Sequence, residues 1–435
     1  MARKMKDSGI EWIGDIPEGW EVVPVRSCFD EVRTKNTDGQ EQNALQFKSG
    51  NIISKANFNA NTDDYVADTI TNYTVVLPDT VMINGLNLNY DFKSLRVALV
   101  KEKGVITSAY LAIFPDRKKI SPQYATYLFK GYETKMAFHN MGAGIRKTLG
   151  YKEFKNQPLL LPSKEEQNKI SAYLDSKCSH IDIMLSKIRS SIEEYKKLKQ
   201  AVITQAVTKG VRGEREMKPT DFTRWSEIPF DWNLKRVKSC IASISSGLSA
   251  VTDDANSEES GKFVLRTSAV SSGFFVPTEV KPVLKSAVNR LICPVEPDTL
   301  IVSRMNTASM VGACAYVANN HPNTFLPDKL WKIKFLPSYH TKYMWYALNS
   351  VPAKSWFSEL ATGASSSMQN ISINDFTSNY LPIPAFSEQK EIANYLDAKC
   401  AEIDGLIAKK EQLVKELESY KKSLIYEVVT GKREV

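Results

Sequence analysis

The stretch of sequence that decides the fold runs from Pro162 to Gly210 and reads PSKEEQNKISAYLDSKCSHIDIMLSKIRSSIEEYKKLKQAVITQAVTKG. A second copy runs from Pro384 to Lys432 and reads PAFSEQKEIANYLDAKCAEIDGLIAKKEQLVKELESYKKSLIYEVVTGK, at a constant offset of 222 residues (384 − 162). The copies share a Glu-Gln pair, a Tyr-Leu-Asp triplet and a Lys-Cys pair. Two unrelated helices rich in Leu, Lys and Glu would not share these residues at one offset, so the stretch indicates an internal duplication.

Both copies are predicted to be long helices that pack on each other. Apolar residues recur every three or four positions between charged flanks, which is typical of a coiled coil. The residues expected to form the packed seam are Cys178, Ile181, Leu185, Ile188, Ile192, Tyr195, Leu406, Leu413, Leu417, Tyr420 and Leu424. Gly210 and Gly431 are the predicted stops. Ser176 and Ala398 are positions where a short first helix could end and a long second one, of roughly 50 Å, could begin.

The remainder of the chain is repeated as well. A tryptophan-flanked segment at Trp12–Trp20 returns as Trp225–Trp232, and Pro78–Asn87 returns as Pro297–Asn306. The offset grows from 212 (228 − 16) through 219 (297 − 78) to 222, as a few loop insertions would produce. We therefore expect one plan in two copies, each a globular module followed by a long helix.

The predicted fold class is α+β. Runs rich in β-branched and aromatic residues predict strands at Thr74–Leu77, Val81–Ile83, Val97–Val100, Leu111–Phe114, Leu300–Val302 and Trp331–Phe335. Helical patches follow at Pro122–Phe129 and Lys342–Leu348. We expect two similar globular α+β domains, separated and joined by two long antiparallel α-helices in a coiled coil, with a pseudo-twofold internal repeat. The predicted boundaries are 1–158 for the first globular domain, 159–212 for the central helical region, 213–380 for the second globular domain and 381–435 for the C-terminal helical region.

Composition narrows the class of protein. The chain has 435 residues, a net charge of +8 and 43% apolar residues, which fits a globular protein that binds nucleic acid. Its six cysteines are widely spaced without a CxxC pair, which argues against a zinc module and a disulfide scaffold. No signal-peptide pattern opens the sequence and no apolar run approaches the length of a membrane span, so we expect a cytoplasmic protein without membrane contact.

The sequence lacks three common catalytic motifs. The sequence has no GxxxxGK[ST] phosphate loop, no GxGxxG at a strand-to-helix junction and no Asn-Pro-Pro-aromatic or Asp-Pro-Pro-aromatic motif of an amino-methyltransferase. Its four histidines are scattered. We therefore predict no catalytic residue, no metal site and no cofactor in this chain.

One pattern is compatible with a metal-dependent nuclease. Pro78–Asp79 followed by Asp116–Lys118 could be a PD…DxK site, in which carboxylates hold a metal and a lysine orients water. The second copy keeps Pro297–Asp298 but has Pro337 at the position of Lys118. The shared Pro-Asp is therefore better interpreted as a turn before a strand.

Two sets of residues could contact DNA. The loop Met141–Lys147 is basic and flanked by glycine, and its counterpart Thr362–Asn370 is rich in Ser, Gln and Asn. Other Asn and Arg residues follow paired strands, where they could read adenine or guanine. The candidate DNA-binding residues are Asn84, Asn87, Gly144, Arg146, Lys147, Arg304, Asn306, Ser366, Gln369 and Asn370. Ordinary solvated loops, or asparagines that cap turns, are the alternatives at these positions.

In combination, these features resemble the specificity subunit of a type I restriction–modification system. The resemblance covers essentially the whole chain and is carried by Trp12–Trp20, the Leu-Pro…Glu-Gln…Tyr-Leu-Asp segment with its repeat, and the two long helices. It implies that each globular domain is a target-recognition domain, which reads half of a bipartite, asymmetric site in double-stranded DNA. It also implies that the helices set the unread spacer, for which about 50 Å would span about one and a half turns of DNA.

The resemblance further implies a subunit without activity of its own. Two methyltransferase subunits would use S-adenosylmethionine to methylate adenine, and restriction subunits would use ATP and magnesium. Two alternatives stay open: an autonomous metal-dependent DNA endonuclease, and a coiled-coil adaptor without DNA contact.

Overall fold

The computed structural model describes residues 3–55, 70–93, 95–144, 147–249, 259–365 and 368–435. The chain divides into two compact units. Unit 1 comprises Met1–Arg189 with Glu411–Val435, and unit 2 comprises Ser190–Lys410. Each unit therefore contains a globular part and a portion of both long helices.

Unit 1 is built on a four-stranded antiparallel sheet. The strands are β1 (Met5–Asp7), β2 (Asp15–Pro17), β3 (Glu21–Pro24), β4 (Phe29–Glu31), β5 (Leu45–Lys48), β6 (Asn51–Ser54), β7 (Thr74–Val76), β8 (Val81–Ile83), β9 (Val97–Leu99), β10 (Gly104–Ile106), β11 (Leu111–Pro115) and β12 (Pro158–Leu161). The short helices are α1 (Pro122–Thr134), α2 (Ala137–Met141) and α3 (Tyr151–Phe154). The sheet has the order β4-β11-β8-β9, while β1 pairs with β2, β3 with β12, β5 with β6 and β7 with β10.

In unit 2 the same strand order recurs. Its strands are β13 (Met217–Pro219), β14 (Glu227–Pro229), β15 (Asn233–Arg236), β16 (Ile241–Ser246), β17 (Glu259–Leu265), β18 (Val280–Leu284), β19 (Pro294–Val295), β20 (Thr299–Ser303), β21 (Met305–Asn306), β22 (Cys314–Val317), β23 (His321–Phe325), β24 (Leu330–Phe335), β25 (Thr362–Ser365), β26 (Met368–Asn370) and β27 (Tyr380–Ile383). The helices, numbered after the long helix α4 (Lys164–Lys209), are α5 (Ser268–Ser271), α6 (Thr341–Leu348), α7 (Val351–Leu360), α8 (Ile373–Thr377) and α9 (Phe386–Val429). The main sheet is β16-β24-β20-β22. A second sheet has the order β18-β17-β23-β19, in which β17 and β23 are parallel.

Local sequence explains these elements. Strand β8 is buried throughout, as a run of apolar residues in the middle of a sheet should be. Helix α1 begins after Ser121, whose side chain accepts a hydrogen bond from the backbone N–H of Tyr124, and Pro122 occupies its first turn. The predicted strands and helical patches are thus confirmed as a mixed α and β architecture.

The two long helices are continuous. Helix α4 has 46 residues and helix α9 has 44. The break considered at Ser176 and Ala398 was wrong, because both residue types fit a helix interior and neither removes a backbone hydrogen bond. The predicted stops are confirmed: Gly210 and Gly431 follow the helices with φ of +78° and +71°, a conformation that favours glycine.

In unit 1 the helical segments run antiparallel. Lys421 donates to the carboxylate of Asp182 at 2.6 Å, and Arg189, further along α4, pairs with Glu418, which is earlier in α9. The predicted seam residues Cys178, Ile181, Leu185 and Leu424 are buried, and Ile188 and Leu417 are half-buried. Most of the seam predicted for this unit is therefore confirmed.

Leu413 and Tyr420 were predicted wrongly, since they are 43% and 48% exposed. The seam of α9 instead includes Val414, which packs against the core of unit 1, and the half-buried Lys421. Neighbouring positions on a helix lie about 100° apart, so a shift of one residue moves a side chain off the seam. A lysine can occupy a seam position by burying its aliphatic stem while its ammonium group pairs with a carboxylate.

Unit 2 has the same antiparallel arrangement. The ammonium group of Lys199 lies 2.6 Å from the carboxylate of Asp404, and Lys410 lies over the ring of Tyr195. The predicted seam residue Ile192 is buried. Tyr195 and Leu406 are half-buried, as side chains at the edge of a seam are.

The repeated glutamines attach each long helix to its globular part. Gln167 accepts a hydrogen bond from the backbone N–H of Ser121 at 2.7 Å and donates to the carbonyl oxygens of Lys119 and Pro162. Gln389 makes the equivalent three bonds in unit 2, to the N–H of His340 and the carbonyl oxygens of Ser338 and Pro384. A buried amide with its donors and acceptor satisfied fixes orientation, which explains why the glutamine appears in both copies.

Candidate nucleic-acid interface

In unit 1, four of the predicted DNA-binding residues lie on two joined loops. We call residues Asn84–Asp91 the arch; it follows strand β8 and contains Asn84 and Asn87. The second loop, which we call the turn, is described at residues 142–144 and 147–149 and contains Gly144 and Lys147. The backbone N–H of Leu88 donates to the carbonyl oxygen of Lys147 at 3.1 Å.

A second backbone hydrogen bond runs from the N–H of Leu149 to the carbonyl oxygen of Gly85, at 2.9 Å. A Cβ at Gly85 would lie 2.5 Å from the carbonyl oxygen of Leu149, so only glycine permits this close approach. The structure therefore brings the two predicted loops into one surface. Arg146, which was predicted to belong to it, lies outside the described residues.

Arg96 holds the arch in place, and the sequence analysis did not identify it. Its guanidinium group donates to the carbonyl oxygens of Asn84 and Leu86, both at 2.9 Å, and to that of Asp91. The residue is 1% exposed. Sequence offers little signal for such a role, because an arginine beside a strand is ordinarily a surface residue.

Beneath Arg96 lies an acidic side chain. The backbone N–H of Arg96 donates to the carboxylate of Glu133 on helix α1. Burial raises the pKa of Glu133 to about 7, against the hydrogen bond from Arg96 and the nearby positive charge of Lys130, which lower it. The underside of the arch is therefore a buried polar cluster.

In unit 2, Asn306, Gln369 and Asn370 lie on the three-stranded sheet β21-β26-β25, which we call the ribbon. Arg304 directly precedes β21. Asn306 pairs with Gln369 in the β-sheet register, and the N–H of Ile371 donates to the carbonyl oxygen of Arg304 at 3.0 Å. Asn370 pairs with Met305 on the same strands. The structure thus assembles the four described candidates of this unit, while Ser366 lies outside the described residues.

The side chains of these candidates differ in how they are used within the protein. Asn306 donates to the hydroxyl of Ser271 and accepts from the backbone N–H of Thr307, both at 2.9 Å, so its amide is largely occupied. The side-chain oxygen of Asn370 is buried without a hydrogen-bond partner in the described part of the chain. The side-chain oxygen of Asn370 is thus an unsatisfied acceptor, but it contacts a ligand only if the side chain rotates out of its buried position.

The first unit shows the same contrast. The side chain of Asn84 accepts from the backbone N–H of Leu86 at 3.2 Å, which is the turn-capping role considered as its alternative. Asn87 is exposed and has a φ of +53°, which asparagine tolerates better than most residues. Asn87 and Lys147 therefore remain the more accessible candidates of the described loops.

The Pro-Asp pairs are turns. Asp79 and Asp298 have φ of +75° and +52°. The backbone N–H of Asp79 donates to the carbonyl oxygen of Val100, and that of Asp298 donates to the carbonyl oxygen of Val317. The carboxylate of Asp79 pairs with the guanidinium group of Arg117 at 2.7 Å. The carboxylate of Asp79 therefore already has a cationic partner within the chain.

The described residues contain no group of three or more His, Cys, Asp or Glu side chains arranged to hold a metal ion. None of the helices in the described ranges is both long and apolar enough to cross a membrane.

Comparison with known proteins gives a consistent set of relatives. No family model matches the sequence. The chain is 24% identical to the putative type I restriction enzyme MjaX specificity subunit of Methanocaldococcus jannaschii, over 97% of this chain and 95% of that protein. It is 23% identical to the type I restriction enzyme MjaVIII specificity subunit of the same organism, over 96% of this chain and 93% of that protein.

Solved structures show the fold. One matching chain comes from a structure of the complex assembly and conformational transition of a type I restriction–modification system. It matches with a TM-score of 0.68 and 15% identity, over 96% of this chain and 99% of that chain. The HsdS subunit from Thermoanaerobacter tengcongensis matches with a TM-score of 0.47 and 16% identity, over 96% of this chain and 98% of that chain. The chain is therefore a relative of the specificity subunits of type I restriction enzymes, the family that its motifs predict.

Proposed function

We propose that this chain is the DNA-sequence recognition subunit of a type I restriction–modification complex and has no catalytic activity of its own. The observation that carries the proposal is similarity over nearly the whole chain to two curated proteins named specificity subunits. The arch with its turn, and the ribbon, supply side chains of the types that contact phosphates and base edges.

Each globular part reads one half of a bipartite site in double-stranded DNA. The strand orders β4-β11-β8-β9 and β16-β24-β20-β22 support a duplicated scaffold. The candidate side chains differ, with Asn87 and Lys147 in unit 1 and Arg304 and Asn370 in unit 2. Different side chains on a common scaffold read different bases, so the site is asymmetric.

The long helices set the unread spacer and dock two methyltransferase subunits. Those subunits use S-adenosylmethionine to methylate adenine, and restriction subunits that use ATP and magnesium complete the assembly. This division of labour is consistent with the absence of recognisable catalytic motifs in the sequence. It assigns to this chain the selection of the site and to its partners the chemistry.

The test is co-expression with the cognate methyltransferase subunit, followed by mapping of methylated adenines on host DNA. A two-part asymmetric motif with a fixed gap is the expected result. Replacing residues 1–158 with those of a relative that has a different motif should change one half and leave the other and the gap unchanged. A soluble complex without methylation would favour an adaptor, and absence of any complex would overturn the proposal.

The endonuclease alternative is tested separately. The full chain, incubated with plasmid DNA and Mg²⁺, is expected to leave the DNA intact, because Arg117 pairs with Asp79. The matched variant is Asp79→Asn, since asparagine tolerates the positive φ of this turn. Cleavage by the wild type that disappears in Asp79→Asn would establish the nuclease.

The adaptor alternative makes a different prediction for DNA affinity. For a protein that contacts phosphates through Lys and Arg, the logarithm of the binding constant falls linearly with the logarithm of the salt concentration. A coiled-coil adaptor without DNA contact would add no such dependence to the complex. Salt titrations of the complex on a duplex that carries the mapped motif therefore separate the two.

A further inference from the structure

Both units present an exposed apolar side chain at the same point of the fold. In unit 1 the N–H groups of Tyr90 and Asp91 donate to the carbonyl oxygen of Asn87, at 3.1 and 3.0 Å. In unit 2 the N–H groups of Met310 and Val311 donate to that of Thr307, both at 2.9 Å. Each of these turns comes soon after a central strand, β8 or β20. Tyr90 and Met310 are each the fourth residue of their turn, although the repeat offset of 219 places Ser309 opposite Tyr90.

The side chains at the tips of these two turns are exposed to solvent. Tyr90 is 73% exposed and Met310 is 42% exposed. Single exposed apolar residues are common on protein surfaces and need no explanation. Two exposed apolar side chains at equivalent turns, both beside candidate DNA-binding residues, do need an explanation.

The tip of unit 1 is held rigidly. The arch is tied to Arg96 through three carbonyl oxygens. Just beyond it, Phe92 is also exposed and stacks on the ring of His139, with ring centroids 5.1 Å apart and an interplanar angle of 11°. His139 in turn contacts the carbonyl oxygen of Asp91 at 3.2 Å. The backbone that carries Tyr90 is therefore positioned before any ligand binds, which favours a recognition role.

The groups around the tips favour an anionic partner. Lys93 is exposed two residues beyond the arch, and Lys147 lies on the turn that is hydrogen-bonded to the arch. In unit 2, Arg304 precedes the tip, and its backbone N–H donates to the carbonyl oxygen of the exposed Lys329. Cationic side chains beside an apolar tip match a duplex, in which phosphates flank stacked bases.

We infer that Tyr90 and Met310 are apolar wedges that pack against bases of the duplex where each unit contacts it. Proteins that deform DNA use apolar side chains in this way, partly unstacking a base step. The inference rests on the proposed function and deepens it, because it assigns affinity to the tips and base selection to neighbouring polar residues. Packing of this kind tolerates any base, since every base has an apolar face.

The experiment uses the full chain assembled with its methyltransferase subunits. The probe is a fluorescent duplex that carries the mapped methylation motif, with 2-aminopurine placed in turn at adenine positions of each half-site. Tyr90→Ala and Met310→Ala should each weaken binding about tenfold, within the range measured for loss of one stacking side chain. The slope of log affinity against log salt should not change, because no phosphate contact is lost.

Two matched variants serve as controls. Tyr90→Phe keeps the ring and should bind as the wild type does. Leu77→Ala removes a similarly exposed apolar side chain from the turn at the opposite end of strand β8, and should also leave affinity unchanged. In the wild-type complex, 2-aminopurine at the wedged step should brighten on binding, and this signal should be lost in the alanine variant of the corresponding unit.

Each outcome has a distinct meaning. Wild-type affinity in Tyr90→Ala and Met310→Ala would overturn the inference. So would an equal loss in Tyr90→Phe, which would assign the effect to the hydroxyl group. If Tyr90→Ala fails to assemble with methyltransferase subunits, the tip is instead a protein-docking residue. Failure of the wild-type complex to bind the motif would count against the proposed function itself, whatever the variants do.

Discussion

The indole N–H of Trp20 donates a hydrogen bond of 2.9 Å to the carboxylate of Glu166, in the first turn of helix α4. In unit 2, Trp232 makes the same contact with Glu388 in the first turn of α9, at 3.2 Å. A carboxylate at this end of a helix also interacts favourably with the helix dipole. The repeated tryptophan segments and the repeated glutamates, which are far apart in sequence, thus form one contact in each unit.

Burial should make the two contacts unequal in energy. Glu388 is 1% exposed and pairs with Arg215, whereas Glu166 is partly exposed and pairs with Arg3. Glu388→Gln should lower the free energy of unfolding of the unit by about 2 kcal/mol, because Arg215 and the indole N–H of Trp232 lose a buried charged acceptor, although Arg215 keeps its ion pair with Asp231. Glu166→Gln should cost about 1 kcal/mol. Urea unfolding followed by tryptophan fluorescence measures both, and equal losses would contradict this ranking.

The raised pKa of Glu133, about 7, predicts a pH dependence of stability. The folded state binds a proton more tightly than the unfolded state, so this stabilisation is complete below the unfolded pKa of 4.5 and is lost as pH rises through about 7. From about pH 5 to about pH 8, the wild type should lose about 2 kcal/mol more than Glu133→Gln. Thermal unfolding across this range tests the prediction. The exposed Glu165→Gln should follow the wild type, and a wild-type profile in Glu133→Gln would contradict the assignment.

Lys147 is expected to contact a phosphate rather than a base. Lys147→Ala should weaken binding to all duplexes alike and reduce the slope of log affinity against log salt by about one. The matched control is Lys103→Ala in the same unit, because Lys103 pairs with Glu41 at 3.1 Å. Fluorescence titrations at several salt concentrations give the slopes. An equal change in Lys103→Ala would show an effect of net charge and not of a local contact.

Arg304 is expected to read a base. Its guanidinium group can form two hydrogen bonds to guanine, and loss of such a pair costs about 1–3 kcal/mol at one position of the site. Arg304→Ala should therefore relax one position in the half-site that unit 2 reads. Methylation mapping should show the other half-site and the gap unchanged. Uniform weakening without a change of motif would assign Arg304 to a phosphate.

Helix length should set the gap between the half-sites. Seven residues inserted after Arg189 in α4 and seven after Lys410 in α9 preserve the heptad register of the pair. They add about 10 Å of helix, equal to about three base pairs of DNA. The methylated motif should keep both half-sites and gain about three base pairs of gap. An insertion in one helix alone should disrupt the pairing, and an unchanged gap in the double insertion would refute the spacer role.

Much of the architecture could be predicted because it depends on local signals. The duplication, the strands such as Val81–Ile83 and the helix stops at Gly210 and Gly431 follow from residue type, spacing and the conformational freedom of glycine. The family resemblance followed from the same repeated motifs. These features can be predicted without knowing which segments of the chain pack against each other.

Only the tertiary structure determines which residues are in contact. The seam of α9 uses Val414 rather than Leu413, because partner packing selects one of two neighbouring apolar stripes and periodicity alone does not. The arch depends on Arg96, whose three carbonyl partners are 5 to 12 residues away in sequence. The joining of Gly85 to Leu149 likewise requires the folded chain. Local pattern determines which elements form, whereas packing and burial of polar groups determine the surface that they present to solvent.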